Sequence, residues 1–303
     1  MSEDSIDRRT FVALMTALTA TACGSDDPCG ANKPANWIEI KDIESAAADQ
    51  LALSSRPWID VEGPDDRVTV FANSMNRFAL RPRVLVDVST IDVSTTLLGQ
   101  RLTSPILVAP GALRVPSARV RRDIIAGAVG ATTAIVSDRG SVTEDVSPDL
   151  LFRADHWRDV PRGVATERLL AGGVGSPEEA RQAVASGYRG LIVSNTALST
   201  QHGASSLELL PAIRKAIPGD IALIVDGSFR HGNEILIALG LGATAVLTAW
   251  PVVWGAVATG PQGAKKTLQL LQKQLVRALR LCGRPAVRQV SADLVRAAPE
   301  YRS

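Results

Sequence analysis

The chain has 303 residues, of which 46% are hydrophobic and 21% are charged. This composition excludes a disordered chain, a collagen-like repeat and a disulfide scaffold, and the length suits one large α/β barrel or two smaller domains. The net charge of +2 comes from 33 basic and 31 acidic residues that form no blocks, and aromatic residues make up only 4%. We therefore expect no nucleic-acid partner, because neither a basic patch nor a stacking platform is visible.

The first residues resemble an export signal. Arg8 and Arg9 precede an apolar run from Phe11 to Ala22, which is too short to span a bilayer as a helix. The paired arginines resemble a twin-arginine motif, and the small residues before Cys23 resemble a lipobox, in which the cysteine is lipidated. A short buried N-terminal helix is the alternative interpretation.

These patterns predict the organisation of the whole chain. We expect an export signal over residues 1–22, a tether over residues 23–36 that is rich in Gly, Asp, Pro and Asn, and one barrel domain over residues 37–303. The protein would then be exported, either periplasmic or anchored to a bacterial membrane through a lipid on Cys23 alone.

From Pro105 onward, short apolar runs alternate with stretches that carry helix signals. The seven runs cover residues 105–110, 133–138, 150–152, 169–173, 190–195, 221–227 and 243–249. Near-continuous apolar strands are typical of a parallel sheet that helices cover. The alternation predicts βα units, as a (β/α)8 barrel or a doubly wound sheet, and the lack of a GxGxxG after a strand disfavours a dinucleotide-binding sheet. A last amphipathic helix over Ala264–Leu281 is expected on the outside.

Four segments resemble the family of FMN-dependent 2-hydroxy acid oxidases and dehydrogenases. They are RPRVLVDVSTIDVSTTLLGQRLTSPILVAP (residues 81–110), GLIVSN (190–195), DGSFRHGNEILIALGLGATAV (226–246) and PVVWGAVATGPQGAKKTLQLL (251–271). The resemblance implies a (β/α)8 barrel that binds FMN at its mouth and oxidises a small 2-hydroxy acid to the 2-oxo acid. It also implies a small-molecule substrate and is compatible with a homo-oligomer.

The resemblance also implies which residues contact the cofactor. These are Pro110, Ala112, Ser137, Ser194, Asp226, Gly227 and Arg230. Arg230 stands at the phosphate-binding arginine of the family, and a guanidinium fork suits phosphate oxygens. A surface arginine at the start of a helix is the alternative for Arg230.

The family's polar catalytic positions are substituted here. Thr196 stands at the catalytic histidine, Ser199 at the substrate arginine and Gly172 at the lysine that steadies the reduced flavin. The other substituted positions are Ile59, Phe152, Ala154, Ala249 and Trp250. His202 is a candidate for a displaced base, with an exposed loop histidine as the alternative, and the three scattered histidines predict no metal site. An exported barrel that binds a ligand or a partner without turnover is therefore the alternative function.

One βα unit is missing from the pattern. Only Arg153–Arg168 separate two apolar runs between which the family carries its fourth strand and a long insertion. We therefore expect a TIM (β/α)8-type barrel that lacks one βα unit. The gap would leave two strand edges unpaired unless another segment, such as Ile38–Leu53 or the tether, covers it.

Overall fold

The structure is a computed structural model that describes residues 37–53, 71, 73–110, 118–138, 150–154, 157–158, 169–194 and 205–298. The predicted export signal and tether lie outside these residues, and so does Cys23. In this part of the chain, no helix is both long and apolar enough to cross a bilayer.

The described elements alternate between strand and helix after a short N-terminal section. The helices are α1 (Ile40–Leu53), α2 (Ala118–Gly130), α3 (Pro177–Ala185), α4 (Ser206–Ala216), α5 (Gly232–Gly240) and α6 (Trp250–Leu281). The strands are β1 (Phe78–Leu80), β2 (Thr95–Leu97), β3 (Gln100–Leu102), β4 (Ile106–Val108), β5 (Ala134–Asp138), β6 (Leu150–Ala154), β7 (Leu169–Val174), β8 (Gly190–Ser194), β9 (Ala222–Asp226), β10 (Ala245–Thr248) and β11 (Val295–Ala297). Each of the seven predicted apolar runs forms one of the strands β4 to β10, which confirms those predictions.

The seven parallel strands close into a barrel in the order β10, β4, β5, β6, β7, β8, β9. The expectation of a gap between two unpaired strand edges is therefore wrong. Strands β6 and β7, which flank the missing unit, pair directly, with Phe152 opposite Leu169 and Ala154 opposite Ala171. Pairing satisfies the backbone N–H and C=O groups that two open edges would leave unmatched, so the ring closes with one strand fewer. The segment expected to cover the gap also lies elsewhere, because α1 packs against α6.

The barrel interior is a packed core. Its inward-facing side chains are Leu107, Ala109, Ala134, Val136, Leu151, Leu170, Ile192, Ala222, Ile224, Ala245 and Leu247. Burying a leucine side chain of this kind stabilises the fold by roughly 1.5–3 kcal/mol. Several positions hold small residues, which suits the narrower interior of a seven-stranded ring, since barrel diameter grows with strand number.

A hairpin plugs the amino-terminal end of this core. Strands β2 and β3 pair across a turn in which Leu98 and Gly99 both have positive φ, at 50° and 78°, as a type I′ turn requires. Leu97 and Leu102 of the hairpin join the interior cluster, and Leu98 packs beside Gly190 at the start of β8. The hairpin thus lies at the end opposite to the carboxyl ends of the strands, where barrel enzymes place their sites.

Helices form the outer layer, held by a second apolar cluster. Ser176 is the N-cap of α3, because its side chain accepts a hydrogen bond from the Glu179 N–H at 3.1 Å. Helix α6 bends at Thr259 and Gly260, whose backbone angles leave the helical region, and its second half contains the predicted outer helix.

Candidate active site

The mouth of the barrel, at the carboxyl ends of β4 to β10, carries a pair of polar side chains. Ser194 ends β8 and Asp226 ends β9, and the two residues are register partners. The Ser194 hydroxyl donates to Asp226 Oδ2 at 2.9 Å. Because Ile192 and Ile224 point into the barrel, alternation along each strand turns Ser194 and Asp226 to the same inner face. The sequence predicted both residues for the cofactor site, and the structure brings them together.

The chain turns sharply after Asp226 and passes beneath an aromatic ring. The Gly227 N–H donates to the Leu247 carbonyl at 3.2 Å. A Cβ added to Gly227 would lie 2.3 Å from the nearest Phe71 ring atom, so only glycine fits here. The Phe71 ring is buried and packs edge-on against Phe229, with the centroids 5.0 Å apart. One side of Gly227 is therefore filled by protein.

Arg230, three residues further on, reaches an ion pair and an aromatic face. Its Nη1 lies 3.4 Å from Glu44 Oε2 on α1, and its side chain is 38% exposed. Its guanidinium carbon stands 4.9 Å from the ring centroid of Trp254 on α6, within cation–π range. The segment between β9 and α5 thus supplies the arginine, while α1 and α6 supply its partners.

The backbone around Arg230 is held by the side-chain carboxylate of Glu234, which is partly buried. Glu234, in the first turn of α5, accepts hydrogen bonds from the N–H groups of Arg230 at 2.6 Å and His231 at 3.0 Å. Burial raises the pKa of Glu234 above its ordinary value, and the two N–H donors oppose that rise. This cap holds the Arg230 backbone in place at the rim of the mouth.

The other predicted cofactor residues are spread over the mouth. Pro110 is buried directly after β4. Ser137 is buried near the end of β5, but Val136 points into the barrel, so alternation turns Ser137 toward the helices. Ala112, Thr196, Ser199 and His202 lie outside the described residues, and the roles predicted for them stay predictions.

Protein occupies the surroundings of the substituted lysine position. At Gly172 and Gly173 the register of β7 against β8 shifts, and Gly173 has a φ of 70°. The backbone N–H of Trp157 donates to the Gly172 carbonyl at 3.0 Å, and the Trp157 ring is buried. A cationic side chain from the end of β7 is thus replaced by a bulge bonded to the segment after β6.

Three contributors to this site carried no sequence signal that we recognised. Glu44 and Phe71 lie far from Arg230 and Gly227 along the chain, so nothing in local periodicity links them. Trp254 stands four residues after Trp250, on the first turns of the helix that follows the last barrel strand. That spacing places both tryptophans on one helix face, and it could have indicated an aromatic platform beside the mouth.

Comparison with known proteins identifies the family. The sequence profile described as FMN-dependent dehydrogenase matches residues 61–143 and 152–297. A peroxisomal (S)-2-hydroxy-acid oxidase of Oryza sativa subsp. japonica is 27% identical over an alignment of length 362, which covers 87% of this chain and 96% of the oxidase. The 2-hydroxyacid oxidase 2 of Mus musculus is 27% identical, with 84% and 97% covered. The alignment with the Oryza oxidase is longer than this chain, since that oxidase contains residues that this chain lacks.

Solved structures agree on the fold. A soluble mutant of the membrane-associated (S)-mandelate dehydrogenase from Pseudomonas putida superposes with a TM-score of 0.67 at 21% identity. The match covers 86% of this chain and 99% of that chain. The chain described here is therefore a barrel of the same fold with one strand fewer among its described residues.

The expected location is contradicted by these relatives. Oxidases of Oryza and Arabidopsis that match this chain are named as peroxisomal proteins, so the prediction of an exported, membrane-anchored or periplasmic protein is wrong. Export signals are addresses that receptors read, and a short apolar run after two arginines does not by itself define which receptor reads it.

The profile match extends over most of the chain. The chain belongs to the family of FMN-dependent dehydrogenases, whose cofactor is FMN.

Proposed function

We propose that the protein is an FMN-dependent oxidoreductase that oxidises a small 2-hydroxy acid to the 2-oxo acid. Its full-length relatives are named as 2-hydroxy-acid oxidases, and they span the same barrel. The observation that carries the proposal is the position of Arg230, a partly exposed guanidinium at the rim of the barrel mouth. A homo-oligomer stays a prediction.

The surroundings of Arg230 fit the phosphate of FMN. Barrels of this type commonly bind phosphate between the loops after the last two strands and the helix that follows. Arg230 follows β9, and α6 with Trp254 follows β10. A guanidinium presents several N–H donors in one plane, and among the described residues Glu44, at 3.4 Å, is the acid that pairs with it. Arg230 would therefore hold the phosphate, and the backbone at Gly227 would line the same loop.

The polar pair at the inner face of the mouth suits the rest of the cofactor. Asp226 offers carboxylate oxygens as acceptors, and Ser194 offers a hydroxyl that can donate or accept. We assign this pair to hydroxyl groups of the bound flavin, and Pro110 and Ala112 to the loop after β4 that lies beside it. Ser137 does not fit its predicted contact with the cofactor, because its side chain turns toward the helices. When bound, FMN supplies the acceptor for the hydride that leaves the substrate carbon.

The residue that takes the substrate proton is unassigned. The family's histidine is replaced by Thr196, and His202 remains the candidate base. Gly172 leaves the lysine position without a cation. This substitution favours the second function, a barrel that binds a flavin or a related ligand without turnover.

Flavin analysis of the purified full chain tests the proposal. We expect a flavin absorption band with about one FMN per chain after reconstitution, and a loss of at least tenfold in FMN affinity in Arg230→Ala. Arg189→Ala is the matched control, because Arg189 pairs with Asp220 at the opposite end of the barrel. If the wild-type chain binds no flavin, the proposal is wrong, and if Arg230→Ala binds FMN as tightly as wild type, the phosphate assignment is wrong.

A further inference from the structure

The pairing of Glu44 with Arg230 has a consequence for which flavin binds. Helix α1 presents Glu44 to Arg230, and the carboxylate is 40% exposed, so water and ions can reach the contact. The helix itself is anchored, because Ile40, Ile43 and Ala47 are buried in the outer core. Packing of α1 therefore delivers the carboxylate to the guanidinium at the rim.

The start of α1 is also fixed. Asp42 Oδ2 accepts hydrogen bonds from the N–H groups of Ile38 and Glu39, both at 2.9 Å. These bonds hold the first turn one helical turn before Glu44, as a carboxylate does at a helix N-terminus. The position of Glu44 is thus determined by the helix backbone as well as by its attraction to Arg230.

A carboxylate on this guanidinium competes with a phosphate. Both anions are attracted to the same guanidinium, and an anion that approaches Arg230 meets the negative charge of Glu44 at close range. The neighbouring positions Ala249 and Trp250, at the start of α6, are uncharged and add no attraction. While Glu44 is in place, the charge of Arg230 is balanced within the protein.

We propose that Glu44 is a specificity-determining residue of the flavin site, which competes with the 5′-phosphate of FMN for Arg230 and so reduces the preference for FMN over riboflavin. The proposal rests on the proposed function, since it assumes that the mouth binds a flavin. Riboflavin has the same ring and ribityl chain but lacks the phosphate, so the competition does not affect it.

The substitution Glu44→Gln removes the charge and keeps the shape of the side chain. Titration of the apoprotein with FMN and with riboflavin, followed by quenching of flavin fluorescence, gives both dissociation constants. We expect Glu44→Gln to bind FMN about fivefold more tightly than wild type and riboflavin within twofold of wild type. Asp49→Asn is the matched control, because Asp49 is an exposed carboxylate on the same helix, and it should change neither constant by more than twofold.

Ionic strength separates a charge effect from a structural one. Salt screens partly exposed charges, so the advantage of Glu44→Gln for FMN should shrink between 0.02 M and 0.5 M NaCl. An unchanged or weaker FMN affinity in Glu44→Gln, beside wild-type riboflavin binding, would overturn the role of Glu44 and leave the proposed function standing. If wild type and variants bind neither flavin, both proposals are overturned.

Discussion

Direct pairing of β6 with β7 makes a quantitative prediction for Leu151 and Leu170, which face the barrel interior from these two strands. Leu170 is fully buried, and Leu151 is 5% exposed. With Arg153 opposite Leu170 in the register, Leu151 is one diagonal step away on the same face. A double-mutant cycle with Leu151→Ala and Leu170→Ala therefore measures whether the two strands are neighbours.

The size of each single effect follows from the packing. Replacing a buried leucine by alanine costs about 2–5 kcal/mol of unfolding free energy, more when the cavity cannot collapse. The Leu170 Cδ2 atom lies beside Gly190, at 2.5 Å from the place where a Cβ would be. Glycine has no side chain with which to fill the space, so we expect about 3–5 kcal/mol for Leu170→Ala and about 2–4 kcal/mol for Leu151→Ala.

Urea unfolding followed by circular dichroism gives the free energies. We expect the double variant to lose about 1 kcal/mol less than the sum of the single losses, because contacting residues couple by about 0.5–3 kcal/mol. Ile38→Ala, at a side chain that is 76% exposed, is the control and should lie within about 0.5 kcal/mol of wild type. Additivity of the two leucine substitutions to within about 0.3 kcal/mol would refute direct packing across this pair of strands.

Three further substitutions test packing and burial outside the barrel interior. Gly263→Ala should destabilise the chain by at least about 2 kcal/mol in urea unfolding, because its Cβ would lie 1.9 Å from the Gly255 carbonyl oxygen, whereas Gly219→Ala, with open space around the Cβ, should be nearly neutral. Burial raises the pKa of Asp123, against the opposing charge of Arg119 at 3.7 Å. The folded state therefore favours the protonated acid, so the wild-type protein loses stability as the pH rises through the raised pKa. Asparagine carries no such proton. The free energy of unfolding of Asp123→Asn should therefore increase relative to that of wild type between pH 4 and pH 7.5. A constant difference across that range would contradict the burial argument.

Local patterns in the sequence predicted the strands well, because burial on both faces leaves a continuous apolar run such as Ile221–Gly227. The resemblance to the family named Ser194 and Asp226 as cofactor residues. The structure brings them together because the carboxyl ends of adjacent parallel strands meet at one edge. The number of strands was correct for the described residues, but the expected gap was not. Closure depends on hydrogen bonding between β6 and β7, and no periodicity within either strand reports which edge pairs with which.

The partners of the candidate site were beyond the reach of local patterns for the same reason. Glu44 precedes Arg230 by 186 residues, and Phe71 precedes Gly227 by 156 residues. Each contact depends on how a segment outside the barrel packs on it. The resemblance to the family indicated Arg230 as a phosphate ligand, and the structure adds the Glu44 carboxylate that pairs with it.

Oxidation of a 2-hydroxy acid by this seven-stranded barrel with FMN can be followed in the absorbance of its flavin band. The reconstituted full chain is mixed, without oxygen, with a series of small 2-hydroxy acids. We expect that at least one acid bleaches the band and yields one equivalent of the 2-oxo acid per flavin. A chain that binds FMN and keeps its full absorbance with every acid in the series would contradict turnover and favour a barrel that binds the flavin without it.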